Sequence, residues 1–103
     1  MSALTPTKVA LTELAGDLKI YIATFTPASA SDTITFVAAT HKFRKIYGAF
    51  PFLTAGIDSA LLQISATFSG LVVTVVTYNQ NGDAATDWTG AAARLLVIVG
   101  SAD

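Results

Sequence analysis

Apolar and polar positions alternate with a period of two along most of the chain, the pattern of a pleated strand with one face turned inward. From Leu61 to Phe68 one face reads Leu62, Ile64, Ala66, Phe68 and the other Leu61, Gln63, Ser65, Thr67. Ser69-Gly70 follows, a turn in which glycine supplies positive φ at little steric cost, and Leu71 to Tyr78 reads as the partner strand. The spacing predicts a β-hairpin over 61–78.

Further strands follow from the same pattern. Leu18 to Phe25 groups Leu18, Ile20 and Ile22 on one face, between Ala15-Gly16-Asp17 and Thr26-Pro27. Thr33 to Val37 alternates in the same way. Phe43 to Phe52 is strand-like but holds Gly48 and Pro51, residues that suit a bulge or a sheet edge. Leu95 to Val99 is an unbroken apolar run, long enough for a buried strand and too short for a free-standing helix. Lys8 to Leu14 fits either a short strand or a turn of helix, and short helical stretches over 53–60 and 91–94 stay open. Turn signals recur at about the 8–12-residue spacing of sandwiches and barrels. The fold class expected is all-β, a small β-sandwich or jelly-roll-like barrel of about six to seven short antiparallel strands. Residues 1–103 form a single β domain on this reading, and 1–7, which precede any periodic pattern, form a flexible N-terminal arm.

Composition changes the picture by what it lacks. The 103 residues are 52% hydrophobic and only 13% charged, against roughly 25% charged in an ordinary soluble domain. A mean hydropathy of +0.58 excludes a disordered chain. The absence of cysteine removes disulfide frameworks, thiolate nucleophiles and cysteine metal sites. A net charge of -1 lacks the basic excess that nucleic-acid binding uses. The longest apolar run, Ala91 to Gly100, is interrupted by Arg94 and is about half of the roughly 20 residues a membrane-spanning helix needs. Met1 to Lys8 shows no basic segment followed by an apolar one, so synthesis in a cytoplasm is expected. Exposed sheet faces and edges normally carry charge, lysine above all, to prevent association. The shortage therefore points to faces covered by other copies or by a lattice, unless threonine and serine hydroxyls alone keep the chain soluble.

The chemistry-bearing residues are few. His41 is the only histidine, and Ser59, His41 and Asp58 form a triad in composition only, with no nucleophile elbow around any serine. No catalytic, cofactor-binding or metal-binding residue is assigned, and the chain is not expected to be an enzyme. Asn79-Gln80-Asn81-Gly82-Asp83 copies the start of a calcium loop but lacks the bidentate glutamate, an ionised first ligand and flanking helices. An Asn-Gly turn explains it equally. His41-Lys42-Phe43-Arg44-Lys45 is the one basic cluster, either a solvated connection that blunts an edge or a docking patch for an acidic neighbour. Trp88 either caps one end of the core or anchors an interface, and Phe50 and Phe52, which flank Pro51, pose the same choice. The candidate interface residues are Trp88, Phe50, Phe52, Lys42, Arg44 and Lys45.

Two stretches carry a resemblance. Ser31-Asp32-Thr33-Ile34-Thr35 with Ala39-Thr40-His41, and Ala84-Ala85-Thr86-Asp87-Trp88-Thr89-Gly90 ahead of an apolar final strand, resemble small virion proteins of tailed bacteriophages and prophages, of the head decoration or cement type. The resemblance implies a structural β-rich protein on the capsid surface of the virion. Such a protein is often a homotrimer and holds neighbouring subunits of a major capsid protein lattice through protein–protein contacts. It needs no cofactor, nucleic acid or membrane. Two rival readings share the composition: another virion component of the tail, neck or fibre base, and a carbohydrate-binding β-module stacking sugars on Trp88 with Tyr78 or Tyr47.

Overall fold

A computed structural model describes residues 2–15, 18–38 and 43–100. Eight strands follow in chain order: β1 (Ser2–Leu4), β2 (Thr7–Ala15), β3 (Leu18–Phe25), β4 (Ser31–Thr35), β5 (Lys45–Ala55), β6 (Gln63–Ser69), β7 (Val72–Tyr78) and β8 (Ala92–Gly100). They make two four-stranded sheets, ordered β1-β4-β7-β6 and β2-β3-β8-β5, with one core between them. The result is the expected all-β sandwich, open at its edges and not a barrel.

Two details differ from the expectation. Ser2–Leu4, expected within a flexible arm, forms the additional strand β1 and pairs in parallel with β4, Ala3 opposite Thr33. Three residues carry no period of their own, so this pairing is chosen by the neighbouring strand. The hairpin of β6 and β7 is present, but Ser69 pairs with Val72, which moves the loop one position on to Gly70-Leu71. Gly70, at φ 60°, takes the first central position, the one a type II′ turn reserves for glycine.

The ambiguous stretches become strand. Lys8 to Leu14 lies within β2, Leu53 to Ala55 extends β5, and Ala92 to Arg94 opens β8. β5 is an edge strand that tolerates the missing N–H of Pro51. A register shift between Ile46 and Gly48 makes Tyr47 the extra residue of a bulge.

Between the sheets, Val73 and Val75 of β7 meet Leu95, Val97 and Val99 of β8, all fully buried. Tyr21, Phe36 and Phe43 close one end of this core with ring centroids 5.2–5.6 Å apart, within the range in which tilted aromatic pairs add stabilisation beyond their burial. A smaller cluster of Leu61, Ala85 and Ala91 lies under the loops at the other end, joined to the main core by Leu53. β3 turns Tyr21, Ala23 and Phe25 inward. Leu18, Ile20 and Ile22 do share a face, but it is the outer one. The strand is apolar on both sides, so hydropathy does not select its inner face; the two large rings that fill the space between the sheets do.

Candidate docking surface

The outer face of the β2-β3-β8-β5 sheet is built in rows that cross all four strands. Ala10, Ile22, Leu96 and Phe50 form one row, and Thr12, Ile20, Ile98 and Gly48 the next. Directly opposed residues have Cβ atoms about 4.5–5.5 Å apart, so these side chains form one contiguous apolar surface. Phe50 and Phe52 are 54% and 46% exposed, and Tyr47 beside them 51%. The Phe50 ring leans back over Gly48, where an added Cβ would lie 3.0 Å from Phe50 Cε2. The Tyr47 ring covers Gly100 in the same way, while Lys45 Nζ sits 5.4 Å from the Tyr47 ring centroid.

The opposite outer face differs in kind. There β4, β7 and β6 present Thr33, Thr74 and Thr67 in one row and Ser31, Val76 and Ser65 in the next. It is hydroxyl-rich, and its strands contain no lysine or arginine. Lys8, Lys19, Lys45 and Arg94 all stand on strands of the other sheet.

Asp32, Asp58 and Asp87 serve local structure. Buried Asp32 accepts from the backbone N–H groups of Ala28 and Ser29 and from the Ser29 hydroxyl. Asp58 Oδ1 accepts from the N–H groups of Ala60 and Leu61 at 2.9 and 3.1 Å. Asp87 Oδ1 accepts from the Thr89 N–H and hydroxyl, and these bonds hold its carboxyl below the ordinary value of 3.8.

Beyond the apolar rows lies a mixed one, Thr7, Thr24 and Arg94 with Phe52, again across all four strands. It opens into a cleft of about 640 Å³ whose walls include Leu4, Thr54 and these four residues, with no acidic side chain. The Thr24 hydroxyl donates to the Thr7 carbonyl at 3.4 Å. Arg94 is exposed and forms no ion pair with a described residue.

Of the six residues singled out from sequence, Phe50, Phe52 and Lys45 fall on this sheet's outer face or its border. Arg44 directly precedes β5, exposed, with its N–H bonded to the Gly100 carbonyl at 2.9 Å. Lys42, like His41, lies outside the described residues. Trp88 belongs elsewhere. It packs on the Leu61 cluster and its Nε1–H donates to Thr77 Oγ1 at 3.0 Å, so it caps the core end. Tyr47 and Tyr78 stand on opposite outer faces, and the Tyr78 hydroxyl is hydrogen-bonded to Ser65. In the 79–83 loop the Asn79 side chain accepts from the N–H groups of Asn81 and Asp83, and Gly82 has φ 81°, the geometry of an Asn-Gly turn. Among the described residues no group of three or more His, Cys, Asp or Glu side chains is placed to hold a metal.

Sequence reasoning missed Ile20, Ile22, Leu96, Ile98 and Arg94. The signal was there: a strand apolar at every position must place half of its side chains on the face away from the core. No protein family model, curated protein or solved structure matches this chain.

Proposed function

We propose that this chain is a structural subunit that works by docking onto an assembled protein lattice, as the virion head decoration proteins it resembles do. One observation carries the reading: the outer face of the β2-β3-β8-β5 sheet presents Ile20, Ile22, Leu96, Ile98 and Phe50 side by side. A soluble monomer rarely exposes a contiguous apolar patch of more than a few hundred Å² unless something binds it.

Magnitude decides how such a face is used. The two apolar rows, about 6.7 Å apart on four strands about 4.8 Å apart, give a projected area on the order of 250 Å². Covering it gains roughly 6 kcal/mol at about 25 cal/mol per Å². Association costs about 4–15 kcal/mol, so a single contact comes close to breaking even. Repetition on a lattice, or joining of copies into a trimer, turns this marginal contact into stable attachment through avidity. Because the subunit binds only the assembled state, it stabilises that state by mass action.

The test is to raise an antibody against the purified chain and apply it to particles from cells that make it. Labelling over the particle heads, with a trimer by native mass spectrometry, is the expected outcome. Labelling confined to tails moves the subunit within the virion, and a chain found only in the particle-free fraction contradicts the reading.

A further inference from the structure

We infer that the Arg94 cleft and the apolar rows beside it form one recognition surface for an acidic peptide segment of a partner protein, with a partner carboxylate on Arg94 and its flanking apolar side chains on Phe52, Phe50 and Leu96. This rests on the reading of the chain as a lattice-docking subunit and adds the site and the chemistry it takes.

Three observations point the same way. Arg94 is a guanidinium without an ion pair among the described residues, at the mouth of a cleft of about 640 Å³. Such a fork binds a carboxylate through two parallel hydrogen bonds. The Thr54 hydroxyl lines the same cleft and can donate to a remaining lone pair. Finally, no acidic side chain lines the cleft, so nothing on its walls neutralises Arg94.

The charge pattern also selects the occupant. A second copy packed on this face about a two-fold axis would bring like charges together, since Lys45 and Arg94 stand in its outward register with no acidic residue of these strands beside them, Lys8, Lys19 and Glu13 falling in the register of inward-facing Ala23 and Val99. A phosphate dianion would leave uncompensated charge beside Leu4 and Phe52, because Arg94 is the single cation lining the cleft. A monoanionic side chain flanked by apolar ones matches both the one cation and the apolar walls.

The experiment uses the full chain, labelled with nitrogen-15, and a blocked hexapeptide alternating glutamate with leucine. Saturable shifts are expected at the amides of Thr24, Phe52 and Arg94 and at Arg94 Nε. Binding should weaken at least tenfold with R94Q and with the glutamine analogue of the peptide, while the R94Q spectrum stays folded. Equal binding of the glutamine peptide, or the same shifts with inorganic phosphate alone, overturns the proposal. So does self-association by sedimentation equilibrium that F50S abolishes, since a second copy is then the occupant. Attachment to particles separates this proposal from the reading it rests on. Loss of attachment with R94Q supports the site, and wild-type and R94Q chains that attach equally overturn it alone. A wild-type chain that binds the peptide but never attaches overturns the lattice reading and leaves the site standing.

Discussion

Trp88 Nε1 donates a 3.0 Å hydrogen bond to Thr77 Oγ1, and Thr77 in turn reaches the Ser29 carbonyl at 3.4 Å. Ser29 bonds Asp32, so one polar chain ties the 79–91 loop through β7 to the turn ahead of β4. Thr77 and Asp32 are both fully buried, and among the described residues no buried side-chain polar atom lacks a partner. Low local dielectric makes each link strong when made and costly when broken.

Thr77→Val keeps the shape and removes the hydroxyl. The Trp88 N–H and the Ser29 carbonyl then lose a partner, at a cost of about 2 kcal/mol. Urea unfolding should show that loss together with a red shift of tryptophan emission. Unchanged stability would mean that the chain of bonds carries no weight.

Gly56 and Gly70 both have positive φ, 75° and 60°, but differ in their surroundings. A Cβ on Gly56 would lie 2.6 Å from Ala91 Cα, whereas one on Gly70 meets nothing within 4 Å. Gly70→Ala is expected to cost about 1–2 kcal/mol, the left-handed backbone penalty alone. Gly56→Ala adds a backbone clash and is expected to cost about 3 kcal/mol or more. Thermal unfolding of the two variants checks the difference.

Stability is expected to fall at both ends of the pH scale for separate reasons. The Asp87 carboxyl is held below 3.8 by Thr89, so its contribution is present above that value and is lost as pH falls through the lowered one. The stability gap between wild type and Thr89→Ala should therefore be present at neutral pH and close in acid. Burial raises the Tyr21 hydroxyl above 10.0. The contribution of Tyr21 is complete below that pH and lost as pH rises beyond it, so Tyr21→Phe should flatten the alkaline decline seen in denaturant titrations at successive pH values.

Phe50 and Phe52 are exposed in the free chain, so replacing either with serine should change its stability by no more than about 1 kcal/mol. Phe43→Ala, in the core, is expected to cost about 3–5 kcal/mol. The two surface variants should instead lose attachment to particles by tenfold or more. Melting temperature and particle co-sedimentation measured on the same samples separate the two effects.

The fold was legible where the two faces of a strand differ. In β6, Ile64 and Ala66 turn inward and Gln63, Ser65 and Thr67 outward, as the alternation predicts. Pro51 and Gly48 marked an edge strand with a bulge. In β3 and β8 both faces are apolar, so the strands were visible and their orientation was not. Only ring size at Tyr21 and Phe25, judged against the partner sheet, decides it. β1 is a tertiary choice that three residues cannot announce. At the site, Phe50 and Phe52 stood out as aromatics around a proline. Arg94 passed as an interruption of an apolar run, although a lone charge in such a strand belongs on its outer face.

Hydroxyl-radical footprinting, read by mass spectrometry on the free chain and on the chain attached to particles, measures directly whether the aromatic face is covered. Oxidation of Tyr47, Phe50 and Phe52 should fall at least fivefold on attachment, with half-buried Trp88 changing little. Equal oxidation of all three rings in both states would contradict the account.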